Sequence, residues 1–588
     1  MTDAPSPASK ARSVSAIFPK WSGAYSLLLL TLATLACLLP FSNKAFHMDD
    51  PLFLWTAQHI AQHPLDPYGF AVVWYATESP IAEVTKNPPL ASYYAAAAGA
   101  LFGWCERALH FAFFLPALAV VLGTYQLARR FTTFPLLAAL ATLFAPGFLV
   151  SSTTVMCDVL MLAFWMLALL LWLAGADRHF LLLAAALLLA ACALSKYFGV
   201  ALIPLLLLHF LLKKRRLDAS LAYLGIPVLL LGLYQYWTRA LYGRGLLADA
   251  VQYASLHNRG HELSLLPKLL VGIAFAGGCA LPTLFFAPLL WSKRTLYILT
   301  PACGLVGFAI AGRRAWFASP QAAAHWPLIA AEMAIFLLGG ISCLGLAGSA
   351  LRGASQKIDA DNLLLALWVA GTFLFAAFIN WTVNARSILP LIPAAAILLV
   401  RRLENSGLAR RPHLLLKVGA PLLASGVVAL WVAQADANLA NAGRTAVPRI
   451  YAEVRPSPDA PVYFEGHWGF QYYMQQRGAL PADLRHAPFR AGDIVIIPEN
   501  TTNSFGPPPG FTIAGSVIEI DTGNSVTTMS QPLGAGFYAS LWGPLPLTFG
   551  PVPPERYLLA RLVPAPGNPN PAPMILKPAF VHPFAPGR

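Results

Sequence analysis

The chain has 588 residues, of which 57% are hydrophobic and only 11% charged, whereas a soluble domain carries about 25% charged residues. No soluble fold hides that much apolar surface, and charge-free runs at 159–176, 269–291 and 367–385 each approach the roughly 18 to 20 residues that cross a hydrocarbon core as helix. The net charge of +14 does not indicate nucleic acid, because the basic residues sit in short connections between apolar runs, the mark of a cytoplasmic side.

The first apolar run, about 25–41, follows a basic stretch with Lys10, Arg12 and Lys20. No small-residue cleavage pattern follows it, so it reads as a retained anchor. Alternating sides at each later run puts Arg129-Arg130, Lys213 with Lys214, Arg215 and Arg216, Lys293-Arg294, Arg401-Arg402 and Arg410-Arg411 inside. The prediction is an all-α polytopic membrane protein of about thirteen helices, N-terminus cytoplasmic and C-terminus outside. The predicted spans lie near 23–41, 108–128, 134–151, 156–174, 179–195, 198–212, 219–238, 268–291, 295–312, 326–349, 362–380, 387–400 and 413–433. Arg313-Arg314 falls outside on this count, against the trend. The cysteines, Cys37, Cys105, Cys157, Cys192, Cys279, Cys303 and Cys343, show neither CxxC nor metal-ligand spacing, and no disulfide framework is expected. That, with the short N-terminal tail, fits a bacterial inner membrane.

Two stretches are expected outside the membrane. The loop 42–107 is too long for a simple connector, and within it DPLFLWTAQHIAQH (50–63) has the helical spacing of a short helix lying at the membrane surface. After the transmembrane part, 1–435, the composition turns soluble. Strand patterns at 462–464, 494–497 and 517–520, with a helix around 470–476, predict a small extracytoplasmic α/β domain over 436–550. The prolines of 551–588 predict an extended tail.

Ionisable residues at the ends of spanning helices are functional candidates, because charge there is expensive. On this topology Asp49, Asp50, Asp158, Lys86, Lys196 and Arg386 all reach the outer face. The pair Asp49-Asp50 in HMDD supplies either a general base with an orienting or metal-binding partner, or an ordinary N-cap before Pro51. Asp158 opens a helix, where it is either functional or favourable to the helix dipole. Lys86 precedes a double proline that fixes the backbone; it and Lys196 otherwise read as snorkelling lysines. The guanidinium of Arg386 suits a phosphate, which it grips with two hydrogen bonds. Together these groups describe a site that stabilises a departing phosphate while a carboxylate takes a proton.

These segments resemble the GT-C glycosyltransferases, in the branch of the protein O-mannosyltransferases and the lipid A aminoarabinose transferase. HMDD resembles the acidic pair after helix one, and TKNPPLASYY an EKPPL-type segment with the lysine shifted by one. TTVMCDVLMLAFW, ALSKYFGVALIPLLL and NARSILPLIPAAAILL are similar to three further family segments, the last with Ser387 in place of an aromatic residue. LHNRGHELSLLPKLLVGIAFAGGCALP is similar to a periplasmic loop and helix, with Pro267 and Pro282 in place. The resemblance covers about 20–433. It implies a transferase that moves a sugar from a polyprenyl-phosphate donor to a lipid, glycan or protein acceptor on the outer side. Asp49 would be the catalytic carboxylate, with Asp50 and Asp158 in acceptor orientation or proton handling. Lys86, Lys196 and Arg386 would hold the donor phosphate, and His257, Arg259 and His261 sit in a loop that either closes over it or is an ordinary polar surface loop. A divalent metal is permitted but not required.

In EGHWGFQYYM, Glu465, His467 and Trp468 offer either sugar contacts or aromatic packing. No GxxxxGK motif is present, against a nucleotide-fuelled pump. The alternative is a transporter or flippase of a lipid-linked glycan or other small molecule. Charges gathered at one face, and no visible inverted repeat, weigh against it.

Overall fold

Away from water each backbone polar group must find its partner within its own segment, so the apolar runs become helices. The computed structural model describes residues 23–565 apart from 176–177, 261–264, 313–319, 357–358, 407–412, 457–460, 503 and 509. Among the described residues eight helices are long and apolar enough to cross a bilayer: Gly23–Phe41, Glu106–Ala128, Cys157–Ala174, Tyr197–Lys214, Ala219–Tyr242, Trp326–Arg352, Ala360–Ile379 and Leu415–Val454. Leu90–Phe102, His179–Ser195 and Leu265–Cys279 are shorter apolar helices. The polytopic helical architecture with a β-rich C-terminal domain stands. The basic pairs at 313–314 and 410–411 and the N-terminal stretch lie outside the described residues.

Several spans expected as single helices are composite, and proline is the physical reason, since it removes an N–H and crowds the preceding turn. The run 134–151 divides into Pro135–Leu143 and Pro146–Ser151. The run 268–291 becomes Leu265–Cys279, Pro282–Phe285 and Ala287–Leu290. Residues 387–400 follow a short helix, Ala385–Ile388, a 3₁₀ turn, Leu389–Leu391, and the helix Ile392–Asn405. Where Leu265–Cys279 crosses the helix Trp326–Gln356, a Cβ on Gly277 would meet the Phe336 carbonyl and one on Gly340 the Ile273 carbonyl, so only glycine allows this approach.

The loop 42–107 contains more order than expected. Asp50–Gln62 is a helix, but its Leu54, Ala57 and Ile60 pack against Ala95, Ala98 and Phe113. Protein, not lipid, covers its apolar face, which corrects the reading of a surface helix. The strands Ala71–Val73 and Glu78–Pro80 pair antiparallel, and Leu90–Phe102 follows the double proline.

The helix Leu414–Val454 runs through the expected domain boundary at 435 and carries the chain out of the bundle. Beyond it stands a five-stranded sheet in the order Leu480–Pro481, Val462–Phe464, Ile494–Pro498, Glu555–Pro564, Phe511–Ile520. The first three strands are parallel; Glu555–Pro564 runs antiparallel to both its neighbours. That strand corrects the expected tail. Its prolines stand before it, at 553 and 554, and at its last position, 564, so nine residues between them keep their ladder donors. Residues 566–588 lie outside the described residues. Between strands, residues 526–549 return to the helices, where Val526, Phe537, Tyr538, Trp542 and Leu545 join the bundle core.

Candidate functional site

The chain turns at Met48, which is buried at φ 47°, an uncommon conformation for a residue with a side chain. The two aspartates that follow have different partners. Asp49 holds the N-cap position of Asp50–Gln62 without a side-chain capping bond; its Oδ2 accepts from Arg386 Nη1 at 2.9 Å. Asp50 is fully buried, and its oxygens accept from the backbone N–H of His47 and of Val155, each at 2.8 Å. It clamps two loops. Burial pushes its carboxyl up to about 7, against the electrostatic pull of Lys44 and those two hydrogen bonds.

Arg386 is positioned from both sides. The Asn384 side chain accepts from Ser387 N and caps the short helix that carries it. Ala385 N donates to the Phe537 carbonyl and Ser540 N to the Val383 carbonyl, each at 2.8 Å, so the returning segment 526–549 is fastened to this helix. The guanidinium stands 5.6 Å from the Tyr538 ring centroid, over its face. Its Nε–H is buried without a partner.

A second cation–carboxylate pair lies in the same field. Lys196, at the end of His179–Ser195, donates to Asp158 Oδ1 at 2.5 Å. Asp158 Oδ2 is buried without a partner, and Arg386 interacts electrostatically with both Asp49 and Asp158. Asp49, Arg386, Asp158 and Lys196 therefore form one centre.

Lys86 belongs to its rim. Its ammonium pairs with Asp249 at 2.6 Å, and Arg244 bridges Asp249 and Glu83. It stands 5.4 Å from the Tyr253 ring, and Tyr253 is within electrostatic reach of Asp49. The backbone of His257 and Arg259 falls in the helix Leu246–Gly260, but their side chains, and all of His261, lie outside the described residues. Among the described residues no group of three or more His, Cys, Asp or Glu stands together to hold a metal ion.

Sequence reasoning missed a third pair beneath this centre. Lys44 Nζ meets Asp436 Oδ2 at 2.5 Å with both side chains wholly buried. Lys44 also donates to Thr153 Oγ1, and Asp436 accepts from Thr528 Oγ1 and the Tyr538 hydroxyl. Lys44 follows the first span and Asp436 interrupts an otherwise uncharged helical stretch, 418–443, which is the signal that was available.

Residues 86–237 match the family model described as dolichyl-phosphate-mannose-protein mannosyltransferase. No curated protein sequence matches. Among solved structures, the chain is similar to the Archaeoglobus fulgidus oligosaccharyltransferase tethered with an acceptor peptide, at 13% identity and TM-score 0.46, over 81% of this chain and 65% of that one. It is also similar to ArnT from Cupriavidus metallidurans bound to undecaprenyl phosphate, at 15% identity and TM-score 0.33, over 81% and 94%. The chain thus spans 65% of the length of the oligosaccharyltransferase it matches, and at these values the likeness is silent on substrate. The resemblance to the GT-C glycosyltransferases stands on the family match at residues 86–237.

Proposed function

We propose that this chain is a membrane glycosyltransferase that moves a sugar from a polyprenyl-phosphate-linked donor to an acceptor at the extracytoplasmic face of a bacterial inner membrane. One observation carries the reading. The centre pairs two carboxylates with two cations, yet keeps a buried donor, Arg386 Nε, and a buried acceptor, Asp158 Oδ2, without partners. Buried polar groups are rarely left so. A ligand with an anionic oxygen and a hydroxyl group fills both vacancies.

The steps follow from the charges. The donor phosphate takes hydrogen bonds from Arg386 and Lys196, competing with Asp49 for the guanidinium. The acceptor hydroxyl or amine attacks the anomeric carbon as the bond from that carbon to the phosphate oxygen breaks. Its proton passes to Asp49, and the electron pair leaves with the lipid phosphate, whose charge the two cations stabilise. Asp50 acts through position, holding the loop that bears Asp49. Lys86 draws the anionic donor to the rim, and His257 and Arg259, at the end of the helix Leu246–Gly260, with the following His261, are proposed as further donor contacts. The family description supports a lipid-phosphate sugar donor.

The test is transfer from a panel of radiolabelled polyprenyl-phosphate hexoses and pentoses by the purified protein in lipid. Turnover of one donor, reduced about 10²- to 10⁴-fold in Asp49→Asn as expected for loss of a general base, supports the reading and names the sugar. Lipid-linked sugar crossing liposomes without turnover would replace it with transport. Impermeant labelling of Glu78→Cys from outside the cell checks the sidedness.

A further inference from the structure

A guanidinium has five N–H donors, and the structure divides those of Arg386 unequally. Both hydrogens of Nη1 are in use: it donates to Asp49 Oδ2 at 2.9 Å and to Met156 Sδ at 3.0 Å. Nε–H is buried without a partner, and Nη2 makes no hydrogen bond among the described residues. Nε and Nη2 form one edge of the planar fork, the edge that meets two oxygens of a phosphate side by side. Asp49 and Met156 thus hold the guanidinium while leaving that edge open.

Methionine is an unexpected residue at this point. Met156 occupies the N-cap position of the helix Cys157–Ala174, where Ser, Thr, Asp or Asn would accept from the first turn, and it makes no side-chain capping bond. Its side chain is buried in the bundle core, a place that leucine would fill about as well. What leucine lacks is the acceptor. A thioether is weak and uncharged, so it aligns the guanidinium without cancelling its charge. Met156 stands two residues before Asp158, the partner of Lys196, so the same turn of chain ties the two charge pairs together. Tyr538 completes the seat: its ring centroid lies 5.6 Å from the guanidinium, and its hydroxyl is fixed on Asp436 Oδ2 at 3.1 Å.

These supports respond differently to a proton. When the acceptor's proton passes to Asp49, that carboxyl becomes neutral and its pull on Nη1 weakens, at the moment the leaving phosphate most needs the cation. The sulfur and the ring do not change. We infer that Met156 is a positioning residue which, with Tyr538, keeps Arg386 seated through the step that neutralises Asp49. The inference rests on the transferase reading above, in which Arg386 holds the donor phosphate and Asp49 takes the proton.

Asp49→Asn supplies the neutral state at rest, so binding tests the inference without turnover. Farnesyl phosphate, a polyprenyl phosphate short enough to dissolve, is titrated into the full chain in nanodiscs and followed by microscale thermophoresis. Met156→Leu alone should weaken binding by less than about twofold, because charged Asp49 still holds Nη1. In the Asp49→Asn background the same substitution should weaken it about three- to tenfold, with thermal unfolding unchanged. Met156→Gln in that background keeps an acceptor at similar reach and should restore affinity to within about twofold. Equal effects of Met156→Leu in the two backgrounds, or a glutamine no better than leucine, would overturn the inference and leave Met156 as core packing, with the transferase reading intact. Farnesyl phosphate that fails to bind the parent, or binds it and Arg386→Lys alike, would remove the phosphate role of Arg386, and both readings with it.

Discussion

Lys44 with Asp436 and Arg386 with Asp49 are both cation–carboxylate pairs closed across long separations, 392 and 337 residues. In the first, both side chains are 0% exposed and Asp436 has three further hydroxyl contacts from Thr528 and Tyr538. In the second, the side chains are 16% and 31% exposed and the guanidinium retains an idle N–H. Completeness separates a brace from the proposed site. A charge pair whose every lone pair is taken can only hold; one with a donor to spare can receive. Tyr538 joins the two, its hydroxyl on Asp436 and its ring face beneath Arg386.

Three substitutions sharpen that contrast. Asp436→Asn strands a buried ammonium and is expected to lower stability by about 3–5 kcal/mol, seen as an early thermal unfolding transition in detergent. Unchanged unfolding would show that the lower pair is not a brace. Arg386→Lys keeps the charge but removes the planar fork and the idle Nε–H. Turnover should fall about ten- to a hundredfold, with unfolding within about 0.5 kcal/mol of the parent; equal losses in both would make Arg386 a brace as well. The smallest effect belongs to Asp50. Its native carboxyl, at about 7, lies above its ordinary 3.8, so between those values the folded chain holds a proton that the unfolded chain releases. Its contribution to stability therefore falls as pH rises through that window and is level above it. Asp50→Asn should remove that slope at a net change of about 1 kcal/mol near neutrality. A slope that survives the substitution would assign it to other buried acids.

The centre was legible where charge interrupts apolar sequence. Asp49, Asp158, Lys196 and Arg386 stand out because a membrane protein tolerates few such residues, and their positions flanking helices allow the four to meet. What pairs with what was not legible. Asp50 looks identical to Asp49 in the sequence, and only the third dimension supplies the Val155 N–H that makes it a clamp. Asp249 sits in a polar stretch where an acid carries no signal, yet it is the partner of Lys86. The strand Glu555–Pro564 was hidden by its flanking prolines, although RYLLARLV between them is a mostly apolar run of strand length. Leu90–Phe102 was hidden by the loop around it, its alanines being too small to suggest a packed helix.

The segment 526–549 has a consequence for how the protein is made. Synthesis runs from the N-terminus, and the helices that bear Asp49, Asp158, Lys196 and Arg386 are complete long before Tyr538 is added. Only when the segment 526–549 has been added and has folded back does Phe537 fasten Ala385 and Tyr538 support Arg386. The nascent chain therefore carries Asp49, Asp158, Lys196 and Arg386 through synthesis without these contacts, and the setting of Arg386 is completed only after the residues that position it have been added.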